Sequence, residues 1–167
     1  MRNTRRLALM AMLTAASLIV FVIESQIPAP VPVPGVKLGL ANVITLIAMI
    51  VLGRRDAGIV LLVRIILGSM FTGGVSAFIF SVAGGTCAYI VMCLTIKHFS
   101  GNMLWLVSVF GALAHNAGQL AAAIVVTGTT RLIVYAPVLA ASGIITGVFT
   151  GVAAMYLAKA LKKLKIK

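Results

Sequence analysis

Arg64 sits in the middle of an apolar run, LLVRIILGSM. A guanidinium at the centre of a bilayer costs about 2.5–3.5 kcal/mol on insertion scales, so it must face a partner or a polar site. Glu24, near the end of the first apolar run, is the acidic residue placed to reach it. The chain's other carboxylate, Asp56, falls at the opposite side of the membrane. Two arrangements stay open. In one, a buried Arg64–Glu24 pair fixes helix packing; in the other, Arg64 waits as a cation for an anionic ligand.

Two further stretches carry polar chemistry. HNAGQ places His115, Asn116 and Gln119 within about one helical turn, with His115 and Gln119 stacked at i, i+4. These side chains either make interhelical hydrogen bonds or line a polar pocket. PAPVPVPGVKLGLAN has prolines at alternate positions from Pro28 to Pro34, which dictate a stiff, extended segment with few free N–H groups. A connector needs only the prolines. Gly35, Lys37, Gly39 and Asn42 add more: glycines that let the backbone approach closely, a cation and an amide. With a second helix starting at about Leu38, its free N–H groups and positive dipole end form an anion site in outline. No metal site is expected, because His98 lies at the inner edge and there is no acidic cluster. Cys87 and Cys93, six apart on an apolar helix, face different ways and form no redox or metal pair. No cofactor is expected.

The elements that position these residues must be membrane helices. Of the residues, 62% are apolar and 10% charged, with a mean hydropathy of +1.18, against roughly 45–50% and 25% in soluble domains. The expected fold is all-α: one integral membrane domain over 1–167, with six spans at about 7–25, 38–52, 57–71, 75–96, 103–127 and 132–158. The second is short, about 22 Å against a core of roughly 30 Å, so it begins below the outer surface. The net charge of +12 does not signal nucleic acid. Eleven basic residues (Arg2, Arg5, Arg6, Arg54, Arg55, Lys97, Lys159, Lys162, Lys163, Lys165 and Lys167) fall on one side of an even number of spans. Lys37 and Arg131 fall on the other. That asymmetry puts both termini in the cytoplasm of a multi-pass protein of the cell membrane, where the basic tails also suit anionic lipid headgroups. The first apolar run lacks a small-x-small cleavage site before Pro28 and reads as a retained helix rather than a signal peptide.

Small residues mark close helix approach. Gly143, Gly147 and Gly151 form a stripe at four-residue spacing, and Ala11 and Ala15 form a small-xxx-small pair in the first span. Either stripe packs within the bundle or faces a partner subunit.

PGVKLGLANVITLIAMIVLG, the basic residue of the third span and HNAGQL of the fifth together resemble the small membrane proteins of the Gx transporter family, also labelled heptaprenyl diphosphate synthase component I. That family in turn resembles the substrate-binding S components of energy-coupling factor transporters. The resemblance implies a six-helix bundle holding a ligand near the outer face, under the loop joining spans one and two. It also implies that the alanine pair docks on a transmembrane coupling subunit. The older label implies magnesium-assisted diphosphate chemistry on aspartate-rich motifs. Hard cations need several oxygen ligands, and two carboxylic side chains on opposite sides of the membrane cannot supply them. No enzyme activity is expected.

The expected function is capture of a small anionic or amphipathic molecule from the outer side by a transport subunit. Gly35, Lys37, Gly39 and Asn42 would contact it, Arg64 would neutralise it, and His115, Asn116 and Gln119 would orient it. The chain has no Walker motif, so movement driven by ATP requires partner ATPases. The alternative is a membrane component of a quinone- or flavin-linked electron-transfer system, or of isoprenoid metabolism.

Overall fold

The structure is a computed structural model that describes residues 2–27, 37–72, 74–99 and 101–163. Pro28 to Val36, which include the proline segment and Gly35, lie outside the described residues, as do Lys165 and Lys167. All regular structure among the described residues is helical. Six α-helices follow one another: α1 (Arg2–Ser25), α2 (Asn42–Val51), α3 (Arg54–Thr72), α4 (Val75–Thr95), α5 (Leu104–Thr127) and α6 (Ala136–Lys163). Short 3₁₀ turns, Gly101–Met103 and Thr130–Tyr135, precede α5 and α6.

Glycines in left-handed conformation punctuate the chain where the sequence changes direction. Gly53 (φ 101°) parts α2 from α3, and Gly128 (φ 64°) closes α5. Pro137 falls in the first turn of α6, where its missing N–H costs nothing. The sixth helix therefore starts at Ala136, four residues later than the apolar pattern suggests, and continues to Lys163.

The segments α1, α4, α5 and α6 are each long and apolar enough to cross a membrane, so this is a membrane protein. Helix α2 is not: ten residues rise about 15 Å, half of a bilayer core. Helix α3 has the length but carries Arg54, Arg55, Asp56 and Arg64.

Helices α4, α5 and α6 pack in sequence order, while α1 leans on α3, and α2 sits among α1, α3, α5 and α6. Two apolar clusters hold the bundle. One gathers Leu46, Ile47, Met49, Met92, Val107 and Ala154 towards the end where α3 begins. The other, of Phe80, Leu120, Ala123 and Leu139, lies towards the opposite end. Between them along α5 fall His115, Asn116 and Gln119, all buried. The polar residues form a layer between two apolar ones.

Candidate ligand site

The layer is built outward from α1. Ser17, Phe21 and Glu24, at i, i+4 and i+7, share one face of that helix and are all buried. Glu24 reaches across to the segment before α2. Its Oε1 accepts the Gly39 N–H and its Oε2 accepts the Ala41 N–H at 3.4 Å. The Ser17 hydroxyl donates to the Ala41 carbonyl at 3.4 Å. Gly39 adopts φ 81°, a conformation that favours glycine, and thereby breaks the helical path.

These contacts correct the expected start of the second helix. The chain is not helical from Leu38; α2 begins at Asn42. Its opening turn is closed by Asn42 N–H to Gly39 O at 3.0 Å, Val43 to Leu40 at 3.1 Å and Ile44 to Ala41 at 3.2 Å. The N–H groups expected to await an anion are thus already engaged, two of them by a carboxylate of the chain itself. A buried carboxylate and unpaired N–H groups each carry a large desolvation cost, and joining them removes both.

Arg64 is 3% exposed. Its Nη2 donates to Asn42 Oδ1 at 3.3 Å; among the described residues its Nε is buried with no partner, and it forms no ion pair with Glu24. Lys37 brings a second cation. Its Nζ lies 3.4 Å from the centroid of the Phe21 ring, buried and without a hydrogen-bond acceptor. The Arg64 guanidinium carbon is 5.7 Å from the same centroid. One aromatic ring therefore has two cations near it, an attraction that grows where water is excluded.

The wall opposite α1 is α5. Gln119 Oε1 accepts the Lys37 backbone N–H at 3.0 Å, tying the chain ahead of α2 to the fifth helix. His115 lies between two glycines: a Cβ on Gly39 would fall 2.6 Å from its Cδ2, and one on Gly84 would fall 2.8 Å from its Nδ1. Among the described residues, Asn42 Nδ2 and Thr45 Oγ1 are buried without a hydrogen-bond partner.

Asn116 is positioned differently. Its Nδ2 donates to the Leu139 carbonyl of α6 at 2.7 Å. One residue of rotation, about 100°, carries it off the His115–Gln119 face. The structure thus gathers Glu24, Lys37, Gly39, Asn42, Arg64, His115 and Gln119, while Asn116 spends its Nδ2 on α6 and keeps a buried Oδ1 without a hydrogen-bond partner among the described residues. Phe21, Thr45, Gly84 and Gly85 complete the surroundings and were not singled out from sequence. The spacing of Phe21 to Glu24 and of Asn42 to Thr45, and the Gly84–Gly85 pair, with Gly84 against His115 and Gln119 and Gly85 against Arg64, are the signals that mark them.

The two small-residue stripes differ as well. Cβ atoms on Gly147 and Gly151 would fall 2.6 Å from the Cα atoms of Val109 and Trp105, and one on Gly143 would fall 2.9 Å from Asn116 Nδ2. That stripe lies on α5. Ala11 and Ala15 are exposed and, with Leu7, Leu18, Ile59 and Val63, line a groove of about 390 Å³ between α1 and α3. Their side of α1 does not pack inside the bundle, because α1 meets its neighbours through the Ser17–Phe21–Glu24 face, where Phe21 lies against Gly68.

The family model described as heptaprenyl diphosphate synthase component I matches residues 13–157, and the chain belongs to that family. Neither the curated proteins nor the solved structures gave a match.

Proposed function

We propose that this family member is a membrane substrate-binding subunit that captures a small anionic or amphipathic molecule from the outer side of the cell membrane. The observation that carries this reading is a pair of cations, the buried Arg64 and the half-buried Lys37 with its buried ammonium. Each has a donor without an acceptor, beside a carboxylate already engaged with backbone. Buried polar groups are normally satisfied within the protein, so free donors on Lys37, on Asn42 of α2 and on Arg64 of α3 mark a site for an external acceptor. Gln119 and Gly39 hold the chain ahead of α2 over it. In this reading all six helices cross or enter the bilayer, both termini are cytoplasmic, and the basic end near Arg54 and Arg55 faces the cytoplasm. The exposed alanine face of α1 is the surface for a transmembrane coupling subunit, and partner ATPases supply the energy.

The family description speaks of a synthase component, and catalysis is not part of the proposal. Asp56 is held by Arg6, at the start of α1, and Glu24 lies eighteen residues further along that helix, about 27 Å away. Two carboxylates so far apart cannot share one magnesium–diphosphate group. A binding role towards an isoprenoid stays compatible with the same site.

Native mass spectrometry of the detergent-purified protein tests the reading. The expected result is a non-covalent small-molecule adduct on the wild type that is lost from Lys37→Met. Identical spectra for the two proteins would contradict it.

A further inference from the structure

The charges in the polar layer do not cancel, and the imbalance specifies the ligand further. Glu24 and Arg64 are each 3% exposed, and the Lys37 ammonium is buried on the Phe21 ring. Both Glu24 oxygens accept backbone N–H groups, an arrangement that suits an ionised, acceptor-only carboxylate. The aromatic face suits two cations. Residues 28–36, which adjoin the layer in sequence, contain no ionisable side chain. Asp56 is occupied with Arg6 at the far end of α1. A buried guanidinium and a buried ammonium on a half-buried lysine, against one buried carboxylate, leave an excess of one positive charge among the described residues.

We infer that the site selects a ligand whose head group carries one net negative charge, and that this group binds between Lys37 and Arg64. The inference rests on the binding role proposed above. The geometry separates the two anion positions available in the layer. The backbone position at Gly39 and Ala41 is held by Glu24, so the ligand meets side-chain donors: Lys37 Nζ, Arg64 Nε and Asn42 Nδ2, all without acceptors. Three such donors call for a head group with several acceptor oxygens, such as a carboxylate, a sulfonate or a phosphodiester. A neutral head leaves one cation uncompensated, and a doubly charged head leaves one anion uncompensated. Either imbalance is costly in a buried site.

Three probes with a common ten-carbon chain test this: decanoate (one negative charge), decanamide (neutral) and decylphosphonate in its dianionic form. Their binding to the full-length protein in a neutral maltoside detergent is read by thermal shift titration. Decanoate is expected to bind the wild type at least about tenfold more tightly than either of the others. Lys37→Met removes the excess charge and should bring decanamide level with or ahead of decanoate. Arg64→Met should do the same, which keeps the test sound if one variant folds poorly. Tightest wild-type binding by decanamide or decylphosphonate, or an unchanged order in both variants, would overturn the charge assignment while leaving a binding protein. Failure of all three probes on the wild type would overturn the binding role and this inference with it.

Discussion

The two carboxylates of this chain sit near the two ends of one helix and are handled in opposite ways. Asp56, buried, takes both Nε (2.6 Å) and Nη2 of Arg6, a side chain more than half exposed. Glu24, also buried, has two cations in its neighbourhood and forms an ion pair with neither Lys37 nor Arg64; it binds backbone N–H groups instead. At the basic end, a carboxylate joins helices α1 and α3 through an ordinary ion pair. In the polar layer, a carboxylate shapes the entry to α2 and is engaged with backbone rather than with the neighbouring cations. The same chemical group ties two helices together in one place and holds the backbone ahead of α2 in the other.

The largest effect should come from removing the second arrangement. Glu24→Gln places an amide NH₂ against a backbone N–H and leaves two buried cations with no anion. It should destabilise the protein by about 3–5 kcal/mol, by analogy with breaking a buried pair. Asp56→Asn should cost clearly less, because the Arg6 it releases already reaches solvent. Thermal unfolding in detergent measures both, and equal losses would erase the distinction.

A smaller effect separates two glycines with positive φ. Gly39→Ala adds a Cβ 2.6 Å from His115 in the layer, whereas Gly53→Ala adds one that meets nothing within 4 Å. Overpacking should make Gly39→Ala worse by about 1–3 kcal/mol. Equal cost for the two would mean that His115 moves aside freely.

The third prediction changes stability hardly at all. With Cys87 and Cys93 replaced by alanine, a cysteine at exposed Thr129 should react with an impermeant thiol reagent applied to intact cells. One at exposed Lys97 should not. The reverse pattern would put the basic end outside and invert the membrane orientation.

Much of the site was legible in the sequence, because a charge or amide in so apolar a chain has few places to go. Arg64, Glu24, His115 and Gln119 stand out for that reason alone. What the sequence hid was long-range. The start of α2 depends on a carboxylate fifteen residues earlier capturing the Gly39 N–H, and no local propensity records that. Adjacency also hides that Asn116 donates its Nδ2 to the Leu139 carbonyl of α6. The glycine and alanine stripes look alike as patterns; only packing shows that Gly147 lies against the α5 backbone while Ala11 and Ala15 stay exposed.

The central claim is that Arg64 serves a ligand rather than Glu24, and a stability cycle tests it most directly. Arg64→Gln, Glu24→Gln and the double variant are purified and unfolded thermally, without added ligand. If the claim holds, Arg64→Gln is as stable as the wild type or more so, since a buried cation with an unpartnered Nε has gone. Glu24→Gln is destabilised, and adding Arg64→Gln to it restores no more than removing one surplus charge would. If instead Arg64→Gln alone destabilises the protein and the double variant recovers most of that loss, the two residues work as a buried pair, and the claim is wrong.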